Sequence, residues 1–408
     1  MVIRKCRSHM VASAQSRSAV PSTAERSNSI IVVISPRDML RGASADIIRI
    51  LKLVGLRTIV LARVPADVVT NLPADTEYSE VILGKAINRL PKENAFFLPY
   101  LTEQILTALT LIRLSKKAKL LLFSHSLMPL PLAVGRILRK KALVYSGGLF
   151  HPTVPTHRSI MRAFVILLES LYYEWADTIL TVSPSLVKNH LLARHRRKTF
   201  EAPARLLDED FFARFDFSLP SFRSNVVGFI GRQSWEKGTS EFAEAISLVG
   251  DRNEDIEFLI VGGDSNQCSV FDSLSSRKSN LPQAKRKTKV MPWVNDVENC
   301  YKKIKLLVIP SKSEGLPSVL LEAIACGTLV LTTTVGGLAD FITDGENGFV
   351  LENTSPIHIA NRILKVLDTQ AYLLDRISLN AYQFLRQRYD KAKILASWRF
   401  AIESTLRA

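Results

Sequence analysis

Apolar positions along this chain fall into short runs with two periods, and the two periods alternate. The run Ile30-Ile31-Val32-Val33-Ile34 is continuous and β-branched, the pattern of a strand buried on both faces. A loop with Pro36 and Gly42 follows. Ile47, Ile48, Ile50, Leu51 and Val54 then recur at helical spacing up to Gly55, and 58–61 is again an apolar run. That is one strand–helix–strand unit. The same rhythm predicts strands at 120–123, 142–145 and 178–182, with helices at 101–114, 130–138, 159–175 and 184–192. Ser183-Pro184 reads as a helix start, with Ser as the cap and Pro in the first turn.

Residues 206–224 break the rhythm with Asp208, Glu209, Asp210 and Pro220, and read as a linker. Beyond it, strands are expected at 226–230, 258–261, 306–309 and 328–331, separated by helices at 240–249, 297–303 and 318–325. The chain from Ile357 onward reads as two or three helices. Alternation in both halves implies an α/β architecture with two doubly wound, Rossmann-like parallel sheets. A length of 408 residues suits two ordinary cores rather than one. The expected division is an extension at 1–29, a first domain at 30–205, the linker at 206–224, a second domain at 225–385 and a final helix at 386–408.

Charge changes this picture. Residues 1–200 hold 29 Lys/Arg against 12 Asp/Glu, while 201–408 hold 25 against 26. All of the excess lies in the first half, which suggests an anionic partner there or an idle basic surface. The 1–29 extension is rich in Arg and Ser with one acid, Glu25. It has the composition of a transit peptide, or of an unstructured or misassigned start. Four cysteines, Cys6, Cys268, Cys300 and Cys326, have no metal or disulfide spacing, so free thiols and a reducing compartment are expected. No run reaches the roughly 20 apolar residues of a spanning helix. The expected location is therefore cytoplasmic, peripheral at most to the inner face of a membrane. The basic stretches 136–141 and 194–198 lack the aromatic residues that stack on bases, so no nucleic-acid partner is expected.

The strongest chemical signal is Ser313-Glu314-Gly315-Leu316-Pro317-Ser318-Val319, continuing to Glu322 and Gly327. It follows a strand and opens a helix with Pro317 in the first turn. The free N–H groups there, with the helix dipole, suit a diphosphate. Glu322 lies among apolar neighbours, where a carboxylate needs a partner such as vicinal ribose hydroxyls; the alternative is an exposed outer face. Glu314 reads either as an acceptor for sugar hydroxyls or as a solvated loop residue.

The E-x7-E spacing of Glu314 and Glu322 resembles the signature of retaining glycosyltransferases of the GT-B fold, close to glycosyltransferase family 4 (glycosyl transferases group 1). Gly228-Phe229-Ile230-Gly231-Arg232, Glu236-Lys237-Gly238, Leu259-Ile260-Val261-Gly262-Gly263, Gly336-Gly337-Leu338 and Gly345-Glu346-Asn347-Gly348 support it in order, over about 226–350. The resemblance implies two domains facing across a cleft, the first for the acceptor and the second for a nucleotide-diphosphate sugar donor. It implies that the final helix packs back on the first domain. It implies that Arg232 and Lys237 stabilise the leaving diphosphate with no metal and no further cofactor, beside Glu314 as a catalytic-site residue. Donor binding would then involve Glu322, Gly262, Gly263, Gly315, Leu316, Pro317, Ser318, Val319, Trp293, Val294 and, after the first strand, Gly42. Trp293 also reads as a core residue.

The chain departs from the family where a His follows the strand at 142–145. Here Ser146-Gly147-Gly148 follows, and neither His125 nor His151 matches the position. Asp340 stands where relatives often have Glu. A donor-binding module without catalysis and a phosphorylase of related fold are therefore competing readings. The acceptor is expected to be anionic, lipid-linked or presented on an anionic membrane.

Overall fold

The computed structural model describes residues 29–34, 43–62, 77–80, 97–124, 127–148, 159–188, 190–262, 287–294 and 296–407. Gly42, Gly263, His125 and His151 lie outside them. In the first half the chain runs β1 (Ser29–Ile34), α1 (Ala43–Leu53), β2 (Arg57–Ala62), β3 (Glu77–Glu80), α2 (Phe97–Leu114) and β4 (Leu120–Ser124). It continues through α3 (Pro129–Ile137), β5 (Lys141–Ser146), α4 (Ser159–Trp175), β6 (Thr178–Thr181), α5 (Pro184–Val187), α6 (His190–Ala193) and β7 (Thr199–Glu201). All pairings are parallel, in the order β3-β2-β1-β4-β5-β6-β7. Every residue of β1 and β4 is buried, as continuous apolar runs require of strands covered on both faces.

After α7 (Glu209–Phe215), the second half runs β8 (Val226–Ile230), α8 (Thr239–Gly250), β9 (Glu257–Val261), β10 (Thr288–Met291), α9 (Glu298–Lys303), β11 (Leu306–Ile309) and α10 (Ser318–Ala325). Then come β12 (Leu329–Thr333), β13 (Phe349–Leu351), α11 (Pro356–Leu367), α12 (Ala371–Arg388) and α13 (Lys391–Arg407). The second sheet has the parallel order β10-β9-β8-β11-β12-β13. Each sheet thus reverses direction beside its first strand, at β1/β4 and at β8/β11. Such reversals open a crevice at the carboxyl ends of the strands.

Two readings need correction, and a third gains detail. In the segment read as a linker, 206–224, Asp208 caps α7 by accepting from the Phe211 N–H at 3.1 Å, and Phe212 and Phe215 are buried. Arg223 then fastens it, donating to the carbonyls of Ile304 at 2.7 Å and Ser218 at 2.9 Å and to the Thr328 hydroxyl at 2.7 Å. The expected helix at 184–192 is two short turns, α5 and α6, and Ser183 makes no side-chain cap because its hydroxyl is used elsewhere. Pro317 occupies the cap position before α10 rather than its first turn.

One apolar cluster runs from the first sheet through Phe212 and Phe215 to Tyr301, Leu320 and Leu385, so the halves share a core. A second fills the other face of the second sheet, under α8 and α11. Helix α13 returns to the first domain and packs on α1, β5, β6 and β7. Its Trp398 stacks on Tyr145 at 5.9 Å and donates its indole N–H to Pro203 O at 2.9 Å.

Candidate active site

The carboxyl ends of the two sheets meet. The loop after β5 brings Gly147 and Gly148 against Gly315 and Glu314, which follow β11. A Cβ on Gly315 would fall on the Gly147 carbonyl, so glycine is required here by the approach of the two backbones. Beside it, Ser183 after β6 and Ser185 in α5 reach Asp340, in the short turn at 336–340. Asp340 accepts from the Ser185 N–H at 2.6 Å and from both hydroxyls. Burial pushes its carboxyl up, but these donors outweigh burial and hold it below the ordinary carboxylate value.

A second tie sits at α10. Arg205, in the segment after β7, donates its Nε to Asp46 Oδ2 at 2.9 Å and an Nη1 N–H to the Ser318 hydroxyl. The same Nη1 lies 4.0 Å from Glu322 Oε1. Burial raises the Asp46 carboxyl despite Arg205 and Arg49.

Within the second domain, the loops after β8 and β11 face each other over the crevice. The loop after β8 is Gly231-Arg232-Gln233-Ser234, then a tight turn at Trp235–Lys237, with Gly238 at φ +68° ahead of α8. A side chain on Gly238 would strike the Pro310 carbonyl at the end of β11, so this glycine locks the two loops together. Lys237 Nζ pairs with Glu314 Oε2 across the crevice, their side chains 20% and 13% exposed. Ser311 Oγ also donates to Glu314 Oε2, at 3.2 Å. Glu314 is therefore neither solvated nor unpartnered. Arg232 differs: its side chain is 72% exposed, with Glu236 Oε1 3.6 Å away. The Gln233 amide atoms and the Ser234 hydroxyl are inaccessible and make no hydrogen bond among the described residues.

Leu316, Pro317, Ser318 and Val319 form the amino end of α10, where Pro317 gives no side-chain cap. Gly315 O accepts from the Gly337 N–H at 2.6 Å, which fixes the approach to that helix. Glu322 sits one turn in. It is 18% exposed and accepts from the buried Tyr301 hydroxyl at 2.9 Å, so it already has one partner within the chain. Gly262 has φ +107°, and a Cβ there would strike the Gly231 carbonyl; this packing alone demands glycine. Trp293 is 58% exposed, which removes the core reading, and Val294 beside it is half-buried.

The structure therefore gathers Lys237, Glu314, Gly315 and the start of α10 at one crevice, with Arg232 on its rim and Glu322 behind. Residues that the sequence did not mark are Arg205, Tyr301, Gln233 and Ser234. Their partners lie 21 to 159 positions away or are absent, so spacing gave no signal for them.

Two Rossmann-ordered sheets joined at their carboxyl ends, with an anion-ready helix in the second, define the GT-B glycosyltransferase fold. Solved structures agree. Anabaena HepE in complex with UDP-glucose superposes with a TM-score of 0.69 at 17% identity, over 92% of this chain and 99% of that one. Sucrose-phosphate synthase from Thermosynechococcus elongatus gives 0.72 at 17% identity, over 93% and 99%. Residues 213–384 match the family model for glycosyl transferases group 1. The capsular polysaccharide biosynthesis glycosyltransferase CapM of Staphylococcus aureus is 26% identical over 165 residues, 40% of this chain and 42% of that protein. D-inositol 3-phosphate glycosyltransferase of Mycolicibacterium smegmatis is 31% identical over 175 residues, 42% and 39%. The chain thus aligns with about two fifths of the length of these curated relatives.

Proposed function

We propose that the protein is a retaining, metal-independent glycosyltransferase that moves a sugar from a nucleotide-diphosphate donor to an anionic or lipid-linked acceptor. The observation that carries this reading is the Lys237–Glu314 pair across the β8/β11 crevice, at the amino end of α10. In the reaction the bond between the sugar carbon and the diphosphate breaks, and negative charge grows on the leaving oxygens. Lys237 and Arg232 offer cations there, and the free N–H groups of α10 add a fixed positive field. Glu322 accepts from the ribose hydroxyls while Tyr301 holds its other side, and Trp293 and Val294 lie beside the base. The second domain binds donor and the first binds acceptor. The known complexes of HepE with UDP and UDP-glucose make uridine donors the first to try. The protein works in the cytoplasm, peripheral to a membrane.

The test is a thermal-shift screen of UDP-, GDP- and ADP-sugars, followed by donor hydrolysis and by the anomeric configuration of the product. A true donor at 100 times its dissociation constant adds about 2.7 kcal/mol of stability. No shift with any of them refutes the donor site. A second reading, a donor-binding module without turnover, is favoured by Gly147-Gly148 in place of the expected His. It predicts a thermal shift with no hydrolysis.

A further inference from the structure

Helices α2, α3 and α4 lie side by side in the layer that covers one face of the first sheet. Their outer surface is apolar. On α2, Leu101, Ile105, Leu109 and Ile112 are exposed, within about 80° of arc at 3.6 residues per turn. On α4, Met161, Phe164, Leu167 and Leu171 are exposed, within about 120°. Leu130 and Ile137 of α3 bridge them, and Ile137 is 79% exposed. Ten large apolar side chains on three neighbouring helices exceed what a soluble monomer ordinarily shows to water.

The rim of this surface is basic. Helices in such layers run against their strands, so their carboxyl ends lie away from the cleft. At those ends stand the exposed Arg113, Lys116, Lys119, Arg136 and Arg139. Arg194, Arg196 and Arg197 follow α6, which packs beside α4. Among the described residues, the four acids of this layer are Glu103 and Glu169, both buried, with Asp177, held at 3.5 Å by Lys141, and Glu174, 3.7 Å from His195. An apolar centre with a cationic rim complements an anionic lipid surface, whose acyl region takes the first and whose headgroups take the second.

We propose that the outer face of α2, α3 and α4 is a monotopic docking surface that enters an anionic bilayer. This deepens, and rests on, the reading of the first domain as the side that meets a lipid-linked acceptor. It differs from purely electrostatic docking because apolar contacts persist when salt screens the charges.

The experiment is vesicle flotation of the full chain with phosphatidylcholine, with and without phosphatidylglycerol, at low salt and at 1 M, where the Debye length is about 3 Å. Wild type is expected to float with the anionic vesicles and to keep part of its binding at 1 M. The triple variant Leu109→Gln/Phe164→Gln/Leu167→Gln is expected to partition about 100-fold more weakly and to lose the salt-resistant part. Phe164→Trp is expected to add emission that brominated acyl chains quench. Unchanged circular dichroism and donor binding in both variants show that the fold is intact. Triple-variant flotation equal to wild type overturns the proposal. So does a wild-type dimer in sedimentation velocity that the triple change converts to monomer, since a second copy then covers the face. Vesicle binding without any nucleotide-sugar binding overturns the donor reading and leaves this one standing.

Discussion

Replacing Lys237 with Met separates what the Lys237–Glu314 pair does for folding from what it does for transfer. The pair is neither at the surface nor fully enclosed, at 20% and 13% exposure. Breaking a deeply buried pair costs about 3–5 kcal/mol, and exposed pairs contribute about 0–1. This one should therefore cost about 2 kcal/mol. Glu314 keeps its bond from Ser311 at 3.2 Å, which limits the loss. Losing one charge-stabilising donor lowers turnover by about 10²–10³, or about 2.7–4 kcal/mol of barrier. The double change Lys237→Met/Glu314→Gln should recover most of the stability, since no carboxylate is left unpaired, but none of the turnover. The assays are urea unfolding and donor hydrolysis on all three variants. If the double variant regained turnover, Lys237 would serve to neutralise Glu314 and not to face the diphosphate. If Lys237→Met alone hydrolysed donor at the wild-type rate, the catalytic assignment would be wrong.

Arg232→Ala should also lower turnover about 10²–10³-fold, yet leave the melting temperature near wild type, because its side chain is 72% exposed. Chelation should leave transfer intact; loss of activity restored by magnesium would overturn the two-cation account. Glu322→Ala should weaken binding of the bare nucleotide diphosphate, measured by calorimetry, whereas Tyr301→Phe should not, since Glu322 keeps its carboxylate. Equal losses in both would assign Glu322 to packing. Asp340→Asn should cost about 2 kcal/mol through weaker bonds from Ser183 and Ser185. Because the folded Asp340 carboxyl titrates below its ordinary value of 3.8, its stabilisation is complete above that pH and is lost as pH falls through the folded value. Acid unfolding of the Asn variant should lack this component below pH 3.8, and an unchanged acid limb would remove Asp340 from the account.

Much of the fold was legible because the strands are buried on both faces. Ile30–Ile34, Val226–Ile230 and Leu306–Ile309 are continuous apolar runs, and a run of that kind has few other uses. The short strands were harder. Glu77–Glu80 and Thr199–Glu201 are polar and lie at sheet edges, where pairing comes from a neighbour and not from their own composition. The segment 206–224 reads as a linker from its acids and prolines, which give no sign of how it packs. Its aromatic residues decide its structure, through contacts with Tyr301 and Tyr382 far along the chain. At the site, the second-domain motif showed which residues matter but not whom they touch. Glu314 reads as a free acceptor until the turn at 235–237 brings Lys237 to it. Gly315 reads as a phosphate-loop glycine until Gly147 arrives from the other domain.

The return of α13 to the first domain bears on how the chain folds as it is made. The indole of Trp398 bonds to Pro203, 195 residues upstream, and its ring covers Tyr145. At synthesis rates of about 5–20 residues per second, the segment at Pro203 waits about 10–40 s and Tyr145 about 13–50 s for that cover. The second domain, whose strands and helices are contiguous in sequence, closes within this interval. The half that emerges first is thus completed last, and during the delay its uncovered aromatic face is open to chaperones or to another nascent chain.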